Sequence, residues 1–186
     1  MGTDKALIEI NGETVLRRIY KIASGLFPRI ILCGNGAGKY NITGAETAED
    51  IRPEGGPLSG IHAGLSKSGT EINFVLSCDL PLITEEAISA IAGRYNNQSI
   101  LAAASGGDIH YLCGIYNRRI LPVMDELFFG YTPSEKKNPN LSLKTLADRT
   151  GYAIFNFDSP ELARLRKTLF NLNLPEDLKK LHDIKD

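Results

Sequence analysis

The stretch that most constrains this chain is Asn73-Phe74-Val75-Leu76-Ser77-Cys78-Asp79-Leu80-Pro81-Leu82-Ile83-Thr84, an apolar run that stops abruptly at a carboxylate. A run this short and apolar, closed by Asp and Pro, reads as a strand buried on both faces. In an open α/β sheet, ligands lie beyond the carboxyl ends of the strands, so Asp79 stands where chemistry is done. Thr84-Glu85-Glu86 then opens a helix, with Thr84 as N-cap and acids in the first turn. Asp-x-Pro is equally a common way to open a turn, so Asp79 taken alone does not separate a site from a bend.

The rest of the chain alternates strands and helices. Met1-Gly2-Thr3-Asp4-Lys5 is a polar, loop-like lead into Ala6-Leu7-Ile8-Glu9-Ile10. A lysine just after a glycine suits a phosphate, although lysine is also the commonest solvated surface charge. Asn11-Gly12 is a turn, and Thr14 caps a helix whose apolar positions Val15, Leu16, Ile19, Ile22, Ala23 and Leu26 keep the helical period, with Gly25 at its stop. Arg29 to Cys33 is a second buried strand, running into Gly34-Asn35-Gly36-Ala37-Gly38-Lys39. The dinucleotide pattern fails there because Lys39 takes the third glycine position. The P-loop pattern fails because its glycine spacing is wrong and Tyr40 follows Lys39. The segment reads as a loop leaving a strand, with Asn35 facing ligand.

A short strand at Ala45 to Ala48 delivers Glu49-Asp50 to the same edge. Arg52-Pro53-Glu54-Gly55-Gly56-Pro57-Leu58-Ser59-Gly60 follows, a tight loop before a helix over Leu58 to Ser66. It leaves backbone N–H groups at a helix N-terminus, which attracts anions, although an ordinary glycine-rich turn has the same composition.

Beyond Asp79 the pattern gives a helix from Thr84 to Tyr95, a strand from Ser99 to Ala104, a hairpin turn at Ser105-Gly106-Gly107-Asp108 and a strand from Ile109 to Tyr116. His110 on that strand has no second His or Cys at metal spacing and reads as structural. Asn117 starts a helix over Arg118 to Phe129, with Gly130 at its stop. Tyr131 to Leu141 is a polar, proline-punctuated loop. A helix from Leu141 to Arg149, a strand from Tyr152 to Phe157 and a helical piece from Pro160 to Lys167 complete the series. Near the end, Phe170-Asn171-Leu172-Asn173 alternates, placing the two asparagines on one face of an extended segment, where they could serve a ligand or cap the helix after Pro175.

The length of 186 residues suits one domain with a full core. A net charge of -1 gives no electrostatic footprint for nucleic acid or an anionic membrane, so a phosphate ligand would need local donors. Cys33, Cys78 and Cys113 lie in apolar runs without C-x-x-C spacing and read as reduced core residues. No apolar run reaches a membrane span and no basic-then-apolar leader appears, so the expectation is a soluble cytoplasmic protein.

Strands alternating with helices indicate a mostly parallel α/β sheet. Four motifs then fall in the order and spacing of one family: Met1-Gly2-Thr3-Asp4-Lys5-Ala6-Leu7; Asp50 followed by Gly56-Pro57-Leu58-Ser59-Gly60; Ser77-Cys78-Asp79-Leu80-Pro81; and Phe170-Asn171-Leu172-Asn173-Leu174-Pro175-Glu176-Asp177. The chain resembles the molybdenum cofactor guanylyltransferases, within the wider nucleotidyltransferase superfamily, over essentially its whole length. The resemblance implies a single three-layer α/β/α domain over 1–186 with a Rossmann-like sheet. It implies transfer of GMP from GTP to molybdopterin with release of pyrophosphate, dependent on Mg²⁺. Lys5 would bind the triphosphate and Asp79 would hold the metal. Gly2, Asn35, Asp50, Gly56, Pro57 and Leu58 would contact the nucleotide, and Asn171 and Asn173 would lie on the pterin side. Further partners would be cofactor-biosynthesis proteins or molybdoenzymes.

The sequence departs from that family in three places. The family begins with a strand and a Leu-Ala-Gly-Gly loop before the Met-Gly-x-Asp-Lys motif, whereas this sequence starts at Met1, so the domain is expected to be N-terminally incomplete, lacking a central strand and one wall of the nucleotide site. Cys33 stands where the family has a base-contacting Asn, and Leu174 replaces a Thr. A related cytidylyltransferase and a non-catalytic nucleotidyltransferase-like binding module are the competing expectations.

Overall fold

The computed structural model describes residues 4–52, 55–129, 141–172 and 177. A tight hairpin pairs β1 (Glu9–Ile10) with β2 (Glu13–Thr14) about Asn11-Gly12, both of which adopt positive φ. Thr14 then caps α1 (Val15–Leu26), its hydroxyl accepting from the Arg17 amide, and α1 buries Val15, Leu16 and Ile19. β3 (Ile31–Cys33) and β4 (Glu46–Ala48) pair in parallel. α2 (Pro57–Ser68) leads to β5 (Ile72–Leu76), and α3 (Glu85–Ala92), capped by Thr84, leads to β6 (Ile100–Ser105). β7 (Asp108–Asn117) returns through a turn in which Gly106 and Gly107 both have positive φ. The Asn117 side chain accepts from the Arg119 amide and starts a 3₁₀ turn that runs into α4 (Leu121–Phe129). α5 (Leu143–Thr150), capped by Ser142, and β8 (Tyr152–Asn156) follow.

Four strands form one sheet in the order β5-β7-β6-β8, with β7 antiparallel to both its neighbours and β8 parallel to β6. Two cores cover its faces, which makes the α/β/α layering. Leu101 and Ala103 of β6 point into one core with α1 and α3, while Ile100 and Ala102 point into the other with α2, α4 and α5.

Several details differ from the sequence expectation. β6 is buried throughout Ile100–Ala104, but the run expected to be buried on both faces, β5, is only half-buried. The reason is its edge: β7 pairs one side, and among the described residues no strand pairs the other. The β3–β4 pair likewise stands apart from the four-stranded sheet. The piece from Pro160 is a 3₁₀ helix to Leu169, and 170–172 runs as irregular backbone where an alternating strand was expected. Cys113 is buried as a core thiol, whereas Cys33 is exposed. The loop expected at Tyr131 to Leu141 falls almost wholly outside the described residues. Among the described residues no helix is long and apolar enough to cross a membrane.

Candidate functional site

Asp79 sits just past the carboxyl end of β5. Ser77 continues the ladder by donating its amide to Leu112 (2.8 Å), and the Asp79 amide reaches back to Ser77 Oγ at 3.4 Å. The turn that follows is held from two sides. Arg18 Nε of α1 donates to the Pro81 carbonyl at 3.1 Å, and the Leu172 amide donates to the Asp79 carbonyl at 2.8 Å. The second bond brings Asn171, distant in sequence, beside Asp79. Among the described residues no hydrogen bond or ion pair engages the Asp79 carboxylate, and no group of three His, Cys, Asp or Glu is placed to hold a metal.

Lys5 opens a short 3₁₀ turn, Lys5–Leu7, capped by Asp4, whose carboxylate accepts from the Ala6 amide at 3.2 Å. Lys5 is half-buried and close enough to Cys78 for its charge to favour the thiolate there, against burial and the Asp79 and Asp4 charges that push that thiol's pKa up. The opposite side of Asp4 reveals a connection that the sequence did not: Lys39 Nζ pairs with it at 2.7 Å and Tyr40 Oη donates to it at 2.9 Å. The Lys39 hydrogen bond holds the Asp4 carboxyl below its ordinary pKa despite partial burial. The glycine-rich segment is thus a tether for the Lys5 turn. Its Gly36 amide also donates to Glu49 at 2.7 Å.

Asp50 emerges from β4 and lies against α2. Its Oδ1 is buried without a hydrogen-bond partner, and a Cβ on Gly60 would come within 3.6 Å of it. Burial raises the Asp50 pKa, the Asn35 backbone N–H pulls it down, and Glu49 adds to the rise. Asn35 therefore serves Asp50 through its main chain, and its side chain is exposed. A buried acceptor without a donor is costly unless a ligand supplies one.

The turn before α2 is built by a glycine that sequence reasoning passed over. Gly55 is buried, and a Cβ there would overlap Ser59 Oγ and lie 2.9 Å from Phe128 Cε1. Ser59 Oγ donates to the Arg52 carbonyl at 2.5 Å and closes the turn. Gly56 adopts φ 56°, ψ -142°, a conformation closed to most side chains, and leaves the start of α2 without a side-chain cap. Pro57 is exposed at the first helical position, while Leu58 is 1% exposed in the core. Leu58 can meet a ligand only through its backbone.

A cavity of about 610 Å³ joins these parts. Ala6, Cys33, Gly34, Tyr40, Asp50, Gly56, Pro57, Ser77 and Cys78 all line it. Cys33 keeps solvent access as a residue but packs its sulfur toward Gly64, and the loss of water around the sulfur, followed by the Asp50 charge, pushes its thiol up to about 11. The structure therefore gathers Lys5, Asp50, the Gly56-Pro57 turn and the Ser77–Asp79 strand end at one edge of the fold. Gly2 and Asn173 lie outside the described residues.

The family described as MobA-like NTP transferase domain matches residues 1–140. A probable molybdenum cofactor guanylyltransferase of Aquifex aeolicus is 28% identical over 180 residues, covering 97% of this chain and 83% of its own. Another so named, from Flavobacterium johnsoniae, is 27% identical over 183 residues, covering 98% and 90%. The crystal structure of molybdopterin-guanine dinucleotide biosynthesis protein A from Archaeoglobus fulgidus superposes with a TM-score of 0.76 at 18% identity, over 99% of this chain and 91% of that one.

Proposed function

The chain belongs to the MobA-like NTP transferase domain family, and from that premise we propose that it transfers GMP from GTP to the phosphate of molybdopterin, releasing pyrophosphate. The names of the relatives support the choice of donor and acceptor. The observation that carries the reading is one cavity lined by the uncapped head of α2, by Asp50 with its buried oxygen lacking a donor, and by Ser77 and Cys78 past the end of β5, with Lys5 and Asp79 next along the chain from the lining residues Ala6 and Cys78.

On this reading an oxygen of the acceptor phosphate attacks the α-phosphorus of GTP, and the bond to the β-phosphate breaks. Such a transfer needs positioning and charge neutralisation more than a protein nucleophile. Lys5 and the backbone N–H groups at the start of α2 bind the triphosphate. Asp50 Oδ1 accepts from an N–H or O–H of the nucleotide, which satisfies the buried oxygen. Asn171, next to the Leu172 amide that donates to the Asp79 carbonyl, would serve the acceptor side. A lone carboxylate with no cage around it suits Mg²⁺, which takes few protein ligands and fills its shell with phosphate oxygens and water. Asp79 would hold that ion, which when bound would neutralise charge on the phosphates. The reaction belongs in the cytoplasm, where its product would pass to molybdoenzymes or to other cofactor-biosynthesis proteins.

The test is incubation of the chain with molybdopterin, MgCl₂ and either GTP or CTP, following pyrophosphate and dinucleotide together. GTP is expected to give both in equal amounts, and CTP neither. Faster product from CTP would make the chain a cytidylyltransferase. Nucleotide binding without pyrophosphate release would favour the binding-module reading.

A further inference from the structure

His110 reads as structural in the sequence, and the fold gives it another place. β7 outruns β5: beyond the paired residues the Ser77 amide still donates to the Leu112 carbonyl, while β7 reaches back to Asp108. Residues 108–111 therefore overhang the end of β5, where Asp79 stands. The pairing of β7 with β6 steps there from Ala102 with Gly114 to Ala103 with His110, which leaves 111–113 as a bulge. Tyr116 Oη donates to the Tyr111 carbonyl at 2.7 Å and holds it. Cross-strand partners share a face, so His110 stands on the face of Ala103. Unbroken alternation from Cys113 and Ile115, which point into that same core, would have turned it to the other face. The bulge has re-aimed it.

That face also carries the segment that reaches Asp79. Leu169 and Leu172 pack into the core of Ala103, and the Leu172 amide donates to the Asp79 carbonyl at 2.8 Å. The nucleotide cavity lies along the edge of β5 that β7 does not pair, so His110 and the head of α2 are on opposite sides of the β5 end. The His110 ring is half-buried and makes no hydrogen bond to a described residue, yet neither nitrogen is sealed from water. His62 is the contrast, with Nε2 paired to Asp125 at 2.8 Å and Nδ1 closed in the core. Burial lowers the His110 pKa against the Asp108 and Asp79 charges, so at neutral pH the ring offers one N–H donor and one acceptor nitrogen.

In-line displacement brings the attacking oxygen from the side opposite the departing pyrophosphate. With the triphosphate at the head of α2, the acceptor comes in on the side of His110. A phosphate monoester, with a second pKa of about 6, is already ionised at neutral pH and needs a donor to hold it, not a base. We propose that His110 binds the acceptor, its ring N–H donating to an oxygen of the phosphate monoester that attacks GTP. This rests on the guanylyl-transfer reading and adds to it the residue that holds the attacking group.

The test measures transfer with molybdopterin and GTP varied in turn, in the parent, His110→Phe and His110→Gln. Phenylalanine keeps a ring without a donor, and glutamine restores an N–H. His110→Phe is expected to raise KM for molybdopterin at least about tenfold, the loss of one hydrogen bond to a charged group, with KM for GTP and the melting temperature unchanged, and His110→Gln to recover most of that loss. An unchanged KM for molybdopterin, or equal losses for both substrates with a lower melting temperature, would overturn the proposal. A second arm omits nucleotide and follows the His110 ring C–H signal by NMR, assigned by its absence from His110→Gln. The signal is expected to shift when molybdopterin is added, and an unmoved signal would overturn the proposal. This arm needs no turnover, so a parent that transfers no GMP refutes the guanylyl reading while the signal still decides the role of His110.

Discussion

Gly55→Ala should disable the turn at the head of α2 without altering any charge. Gly55 is not among the glycines at positive φ, so its backbone would accept alanine. With room for a methyl group, the loss of unfolded-state freedom would stabilise the chain by about 0.4–1 kcal/mol. The room is missing. The new Cβ would overlap Ser59 Oγ, lie 2.9 Å from Phe128 Cε1 and 3.4 Å from Ser59 Cβ. If Ser59 rotates away, its bond to the Arg52 carbonyl is lost, which costs about 1–3 kcal/mol for a buried pair. Crowding of Phe128 adds about 1–3 kcal/mol. The net expectation is a loss of roughly 2–4 kcal/mol, and at about 2–4 °C per kcal/mol for a chain of this size the melting temperature falls by roughly 4–16 °C. Calorimetry with and without GTP reads both consequences, since the displaced turn should also weaken binding. Ser59→Gly in the same chain removes the obstructing atoms and should recover part of both. A Gly55→Ala chain that melts and binds GTP like the parent would refute the packing argument.

Asp79→Ala should lower transfer by about 10²–10³-fold while leaving the fold intact, checked by pyrophosphate release and melting. Asp50→Asn should raise the melting temperature of the chain without nucleotide and weaken GTP binding. An acid whose folded pKa is raised loses stability as pH climbs from its unfolded value, near 3.8, through its folded one, so the variant's advantage should be full at neutral pH and vanish toward pH 3. The opposite sign applies to Asp4, whose lowered carboxyl contributes stability above about pH 3.8 that is lost on acidification. Lys39→Met should flatten that acid limb in pH-dependent melting curves and raise the KM for GTP by freeing the Lys5 turn. Arg18→Met removes the bond to the Pro81 carbonyl and should lower kcat several-fold with little change in KM.

The elements that were legible in the sequence are those specified locally. Thr14, Thr84 and Asn117 each cap the helix or turn they announce, and Asn11-Gly12 and Gly106-Gly107 make the two hairpins. Asp79 lies at a strand end because an apolar run closed by Asp and Pro has few other readings. What escaped was specified by distant partners. Nothing near Lys39 says that it pairs with Asp4, since 34–39 by itself reads only as a loop leaving a strand. Gly55 looked like one more loop glycine until Phe128 and Ser59 were packed on it. The half-burial of β5 was invisible for the same reason, since an apolar run reports its side chains and not whether a neighbour occupies its edge. Asn171 was read from alternation, yet it reaches the site through one Leu172 amide bond to Asp79, without a strand.

The central claim is that the end of β5, the head of α2 and the Lys5 turn form one nucleotide site. Its most direct test is titration of the chain with GTP and MgCl₂ by calorimetry, beside Asp79→Ala and Asp50→Asn. The expected result is one GTP per chain, an affinity that falls on removal of Mg²⁺ in the parent but not in Asp79→Ala, and weaker binding throughout in Asp50→Asn. Equal GTP binding by all three proteins, or none by the parent, would contradict it.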